Sequence, residues 1–95
     1  MKIQNDELVN KIQSILGDYP FELTFNVETQ KFSGHSVVAN NIFNTFYISV
    51  SDNGCEISYE CLEYKVRNNF IKWFLSYGGK EMFLKEYQKV SQTGK

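Results

Sequence analysis

Histidine, tryptophan and proline each occur once in the 95 residues, and cysteine twice. Each shortage closes off a class of chemistry. The lone histidine, His35, has no Cys-His or Ser-His-Asp spacing around it, so no catalytic dyad or triad can be assembled from the sequence. A metal site needs three or four converging ligands. Cys55 and Cys61 instead lie along one expected strand, roughly 20 Å apart at about 3.3 Å per residue. That separation is beyond disulfide reach, which leaves two reduced thiols and points to a cytoplasmic setting. Gly34, Gly54 and the pair Gly78-Gly79 fall at turns and helix ends rather than in a phosphate-cradling loop. Long apolar runs are missing as well. Nothing approaches the roughly 20 consecutive residues of a membrane-spanning helix, and the apolar positions of residues 1–16 are interrupted by polar ones, unlike a signal peptide. The expectation is a soluble, non-enzymatic protein with no metal and no cofactor.

Aromatic residues are plentiful: eight Phe, six Tyr and one Trp supply a large buried area for one short domain. A chain of this length supports a single core. Residues 1–90 are expected to form it, and residues 91–95, with nothing to bury, are expected to be a mobile tail. The net charge of −1 hides an asymmetry. Residues 1–61 hold three basic and eight acidic side chains, whereas residues 62–95 hold seven basic and three acidic. The front of the chain is acidic and the back is basic.

The clearest local pattern is FYISVSDNGCEISYEC, residues 46–61, two alternating runs joined at Asn53-Gly54. An Asn-Gly pair suits a two-residue type I′ turn, which needs positive φ at both central positions. With those two residues at the turn, Val50 faces Ile57, Ile48 faces Tyr59 and Phe46 faces Cys61, all apolar. Tyr47, Ser49 and Ser51 then share the other side with Glu60, Ser58 and Glu56. Upstream, Leu8, Ile12, Ile15 and Leu16 form one stripe of a helix over 6–16, with Asn5 or Asp6 to cap it and Gly17 to end it. After Pro20, Phe21, Leu23, Phe25 and Val27 alternate with Glu22, Thr24, Asn26 and Glu28, the pattern of a half-buried strand. Residues 29–44 sustain neither period and are expected to be a connection with a short extended piece. Downstream, Val66, Phe70, Trp73, Phe74 and Tyr77 stripe a helix over 63–77, and Phe83, Leu84, Tyr87 and Val90 a second over 80–90.

The expected fold is therefore a two-layer α+β domain: an N-terminal helix, a three-stranded antiparallel meander and two C-terminal helices. One sheet face packs against the helices and the other stays open. The open face would present Glu22, Glu28, Tyr47, Glu56 and Glu60, with Asp52 and Asn53 at the hairpin tip and no Lys or Arg among them. Carboxylates around an amphipathic tyrosine favour a basic partner, so this face is the first candidate for docking on a larger, basic protein, such as a nucleic-acid-binding enzyme. The second candidate is nucleic acid held by Lys65, Arg67, Lys72, Lys80, Lys85 and Lys89 of the basic half. A third is self-association through a sheet edge, giving a homodimer.

Two resemblances extend these readings. The α-β-β-β-α order, with Ser33-Gly34-His35 before the second strand and Leu62 to Arg67 opening the following helix, resembles the double-stranded-RNA-binding domain. In that family a histidine-bearing loop and a lysine-rich helix start contact RNA, which would assign contacts to His35, Lys65 and Arg67. Residues 6–90, with the acidic hairpin ISVSDNGCE (48–56) and the two terminal helices, are similar to small phage anti-CRISPR inhibitors of type II CRISPR nucleases. In that class an acidic sheet-and-loop surface imitates DNA and blocks the nuclease, which would place the contacts at Asp52, Asn53, Glu56 and Glu60.

Overall fold

The computed structural model describes residues 1–17, 19–51, 54–60 and 62–93. Their order is α1 (Asp6–Leu16), β1 (Phe21–Asn26), β2 (Lys31–Val38), β3 (Asn41–Ser51), β4 (Gly54–Tyr59), α2 (Tyr64–Ser76) and α3 (Gly79–Thr93). The strands form one antiparallel sheet in the order β1-β2-β3-β4. The fold is α+β, but the meander has four strands rather than three.

The added strand is β2, in the stretch expected to be a connection. Its inward residues are Phe32, Gly34 and Ser36, all buried, and only the first is apolar. Alternation is present in space but not in hydropathy. Gly34 is required there by crowding: a Cβ at this position would lie 2.9 Å from Phe21 Cζ and 2.6 Å from Phe46 Cε1. The β2–β3 hairpin turns on Ala39 and Asn40, both at positive φ (50° and 68°), with Val38 paired to Asn41. This is the positive-φ pair that a two-residue hairpin needs, supplied without a glycine.

In the β3–β4 hairpin the register differs from the expected one by two residues. Ser51 pairs with Gly54, Val50 with Cys55, Ile48 with Ile57 and Phe46 with Tyr59. Gly54, at φ 125°, is thus a paired residue rather than part of the turn. A shift of two keeps every side chain on its expected face, because the side-chain period is two. Tyr47 now stands opposite Ser58 and Ser49 opposite Glu56. Asp52 and Asn53, expected at the hairpin tip, and Cys61, expected in the core, lie outside the described residues.

Three helices cover the inner face of the sheet. α1 starts at Asn5, whose side chain accepts from the Leu8 N–H, and ends at Gly17 with φ 115°. Leu8, Ile12 and Leu16 enter the core with Phe70, Trp73 and Phe74 of α2, Phe83 and Val90 of α3, and the inward residues of β1 to β3. Phe46 packs on Phe70 at 4.5 Å between ring centroids and Phe32 on Phe83 at 5.2 Å. Aromatic rings thereby join sheet to helices, each pair adding about 0.5–1.5 kcal/mol beyond area burial. Three expected core residues lie outside it: Val27 sits in the turn after β1, Tyr59 ends β4 and Tyr77 follows the end of α2, all exposed. α3 runs to Thr93, so residues 91–93 continue a helix where a tail was expected. No helix among the described residues is long and apolar enough to cross a membrane.

A bulge bends the middle of the sheet. Gly34 pairs with Phe46 and Ser36 with Phe43, so Asn44 and Thr45 together oppose the single residue His35. Asn44 takes φ 53°, a left-handed conformation that asparagine tolerates better than most residues. Its buried amide donates to the Leu16 carbonyl at 3.1 Å and to Ser36 Oγ at 3.5 Å. One side chain therefore ties the last turn of α1 to the bulge and to β2.

Candidate partner-binding face

Because the helices all lie on one side, the other face of the sheet is bare, and its side chains fall into three rows that cross the strands. The first row runs from Glu22 to His35, then to the bulge at Thr45 and to Glu60, whose N–H donates to the Thr45 carbonyl at 3.1 Å. The second is Thr24, Ser33, Tyr47 and Ser58. The third is Asn26, Lys31, Ser49 and Glu56. Tyr47 occupies the centre, half-buried between Ser33 and Ser58, while Glu22, Lys31, Glu56 and Glu60 are exposed.

β2 changes the electrostatics of this face. The expectation of carboxylates with no cation among them fails, because β2 contributes Lys31 and His35 to the middle of the sheet. His35 Nε2 lies 3.5 Å from Glu22 Oε2. Glu22, on β1, is three strand spacings from Glu56 and Glu60 at β4, which is about 14 Å. Negative charge thus sits at the two sides and positive or neutral groups between them. Glu28 is not on the face at all: it lies in the turn of residues 27–30, where its N–H donates to Asn26 Oδ1 at 2.9 Å. Of the seven residues expected to bind a partner, Glu22, Tyr47, Glu56 and Glu60 share the face, and Asp52 and Asn53 lie outside the described residues. Lys31 and His35 are the members that the sequence reading missed. The signal was their alternation with Phe32, Gly34 and Ser36, visible once small residues are accepted as inward.

The basic side chains of the second candidate site do not gather. Lys65 and Lys72 lie one heptad apart on the exposed side of α2, but Arg67 is turned about 200° from Lys65 around the helix. The Arg67 guanidinium is stacked between Tyr59 and Tyr64, 5.1 and 5.2 Å from their ring centroids. Lys72 lies over the Tyr77 ring at 5.9 Å. On α3, Lys85 and Lys89 border a shallow groove with Asn5, Glu7 and Gln88. Lys80 stands apart, at the other end of that helix near Gly54.

The two lateral edges of the sheet differ. Residues 1–3 run antiparallel to β1: the Ile3 N–H donates to the Leu23 carbonyl at 2.8 Å, the Phe25 N–H to the Met1 carbonyl at 2.8 Å, and Lys2 bridges to Thr24. At the opposite edge, no strand among the described residues pairs with the outer side of β4. Cys55 on β4 is a free thiol, half-buried. Burial raises its pKa above the usual 9.0, Lys80 works against that rise and Glu81 adds to it. No group of three or more His, Cys, Asp or Glu side chains among the described residues is placed to hold a metal ion. Compared with protein-family models, curated proteins and solved structures, the chain matches none of them.

Proposed function

We propose that the protein is a small binding protein, without catalysis of its own, that inhibits or regulates a larger protein by seating the open face of its sheet on that protein's surface. The observation that carries this reading is the one-sided packing. Three helices and nearly the whole aromatic core lie on one side, leaving a four-stranded face with Tyr47 at its centre and charges around it. A central tyrosine offers contact area and a hydroxyl at a cost of few rotatable bonds, and surrounding polar groups set register and specificity.

The charge layout describes the partner. Imitation of DNA calls for dense negative charge, one per about 1.7 Å of duplex axis. Here the carboxylates of the two sides stand about 14 Å apart, with Lys31 and His35 between them. The surface that fits best carries basic groups opposite Glu22 and opposite Glu56 and Glu60, and neutral or acidic groups opposite Lys31. An inhibitor of the phage type would then act by steric occupation of its target.

Quantitative affinity capture from cell extract tests the reading with two variant sets. Tyr47→Ser combined with Glu56→Lys and Glu60→Lys alters the open face, whereas Lys65→Glu with Lys72→Glu alters the helix side. The expected result is a captured protein that the first set loses by at least tenfold and the second retains. Equal recovery by wild type and the open-face variant would refute it.

A further inference from the structure

The bare edge of β4 carries a second proposal, which concerns the edge of the sheet and not what its open face binds. Each of β1, β2 and β3 buries at least three residues, but β4 buries none. Cys55 and Ile57 are only half-buried and Tyr59 is exposed, although all three point toward the core side. Of the usual protections of a natural edge the strand has only the charge of Glu56: it has no proline, no lysine and no bulge along Gly54–Tyr59. At the far edge, residues 1–3 already occupy the position next to β1. Among the described residues, β4 is the strand of the sheet whose outer side has no strand beside it.

Hydrogen-bond directions along β4 follow from the ladder. The Glu60 N–H points to Thr45 on β3. Groups in an antiparallel strand alternate between the two sides, so Cys55, Ile57 and Tyr59 aim N–H and C=O outward. An added strand must therefore pair with these three residues.

We propose that the occupant is a second copy of the chain, joined β4 to β4 about a two-fold axis at Ile57, making one continuous eight-stranded sheet. In antiparallel pairing, opposed residues share a face, so a two-fold axis must pass beside a residue and not between residues. An axis at Glu56 would set that carboxylate against itself. An axis at Ser58 would set Glu56 against Glu60. Axes at Cys55 or Tyr59 would engage only one of the three outward-facing residues within Gly54–Tyr59. With the axis at Ile57, Ile57 meets Ile57, Cys55 meets Tyr59 and Glu56 meets Ser58, and all three outward residues find partners. Glu60 then comes opposite Gly54 of the second copy. There Lys80 Nζ stands 4.0 Å from the point a Gly54 side chain would occupy, so the carboxylate meets a cation. This register is self-complementary, as an isologous interface requires. It also leaves both open faces uncovered.

The register makes Ser58 the test position, because it is exposed and lies directly opposite Glu56 of the second copy in a non-hydrogen-bonded pair, where side chains are closest. Ser58→Glu creates two like-charge pairs per dimer, and Ser58→Lys creates two opposite-charge pairs. Sedimentation equilibrium at low ionic strength should find a reversible wild-type dimer, with its dissociation constant raised roughly tenfold by Ser58→Glu and lowered roughly tenfold by Ser58→Lys. Tighter association by the lysine variant cannot come from misfolding. A wild type and a lysine variant that both stay monomeric up to about 1 mM would overturn the proposal. So would a dimer that both charges weaken, or that neither affects. Of the open-face substitutions, Glu56→Lys and Glu60→Lys fall in this seam as well, so Tyr47→Ser alone, on β3 and away from the β4 edge, separates the two: its loss of partner capture with the dimer intact bears on the other reading and leaves this one untouched.

Discussion

Gly34→Ala is the sharpest test of the fold because two effects of opposite sign meet there and their sizes decide the outcome. Gly34 does not have positive φ, so alanine fits the backbone. Replacing a strand glycine by alanine gains about 0.5–1 kcal/mol in chain entropy. Against this, the new methyl would fall 2.6 Å from Phe46 Cε1 and 2.9 Å from Phe21 Cζ, where ordinary contacts are 3.4–4 Å. Neither ring is free to retreat. Phe21 and Phe46 stack on each other at 5.9 Å, and Phe46 packs on Phe70 behind it. Overpacking of such a core costs about 1–3 kcal/mol, and the upper part of that range applies when the blocked groups are buried rings. The net expectation is a loss of about 2 kcal/mol, from a total near 5–14 kcal/mol for a domain of this size. That lowers the melting temperature by about 8–16 °C. Urea denaturation followed by circular dichroism measures it, with Ser33→Ala on the outer side of the same strand expected within about 0.5 kcal/mol of wild type. Phe46→Leu makes room for the methyl, so the double variant should lose at least about 1 kcal/mol less than the two single losses added together. A Gly34→Ala protein as stable as wild type, or more stable, would mean that Gly34 does not face the aromatic core and that β2 is not where the structure puts it.

Asn44 supplies both a backbone conformation and a side-chain tie. Asn44→Ala should cost about 2–4 kcal/mol, from the amide bonds to Leu16 and Ser36 and the strain of alanine at φ 53°. Asn44→Gly should cost less, since it relieves the backbone strain, and equal losses in denaturation would show that the conformation contributes nothing. At Cys55, burial favours the neutral thiol in the folded state, and Glu81 adds to that preference while Lys80 opposes it. A raised folded pKa means that the unfolded chain ionises first, so the contribution is intact below pH 9.0 and is lost as pH rises from there through the folded value. The stability difference between wild type and Cys55→Ala, measured from pH 8 to 11, should accordingly decline only above about pH 9. A difference that stays flat over that range would contradict the assigned burial.

The parts of the fold legible in the sequence are those in which hydropathy and burial coincide. α1 and β1 have their apolar residues at the spacing their geometry demands, and the period switch near residue 62 marks the start of the helical half. β2 was illegible because two of its three inward positions are Gly34 and Ser36. One is small because Phe46 and Phe21 fill its space, and the other is polar because Asn44 reaches it. The cause of each choice lies on another strand, so no local window contains it. The same holds for the turn at Ala39 and Asn40, where positive φ is held without the glycine that normally signals it. Of the open face, the sidedness of Glu22, Tyr47, Glu56 and Glu60 could be read from alternation. Their neighbours could not, since the strand between β1 and β3 was missing from the pattern.

That missing strand also decides how the face can attract a partner. Acidic residues on adjacent strands would act as one field, but a separation of about 14 Å exceeds the screening length of about 8 Å at physiological ionic strength. Glu22 and the pair Glu56 and Glu60 therefore act on a partner separately. Glu22 is further offset by His35 at 3.5 Å whenever that ring is protonated. Long-range steering is correspondingly small, and specificity must come from contact: the ring of Tyr47, the serines and threonine beside it, and one charged group at a time. The face reads position by position, as a protein surface does, and a polyanion, which presents the same charge everywhere, would find Lys31 isolated between uncharged Asn26 and Ser49 with carboxylates at both sides of the sheet. The distribution of charge along the chain, acidic in front and basic behind, is thus a poor guide to the surface. What a partner meets is set by which strands the meander makes adjacent.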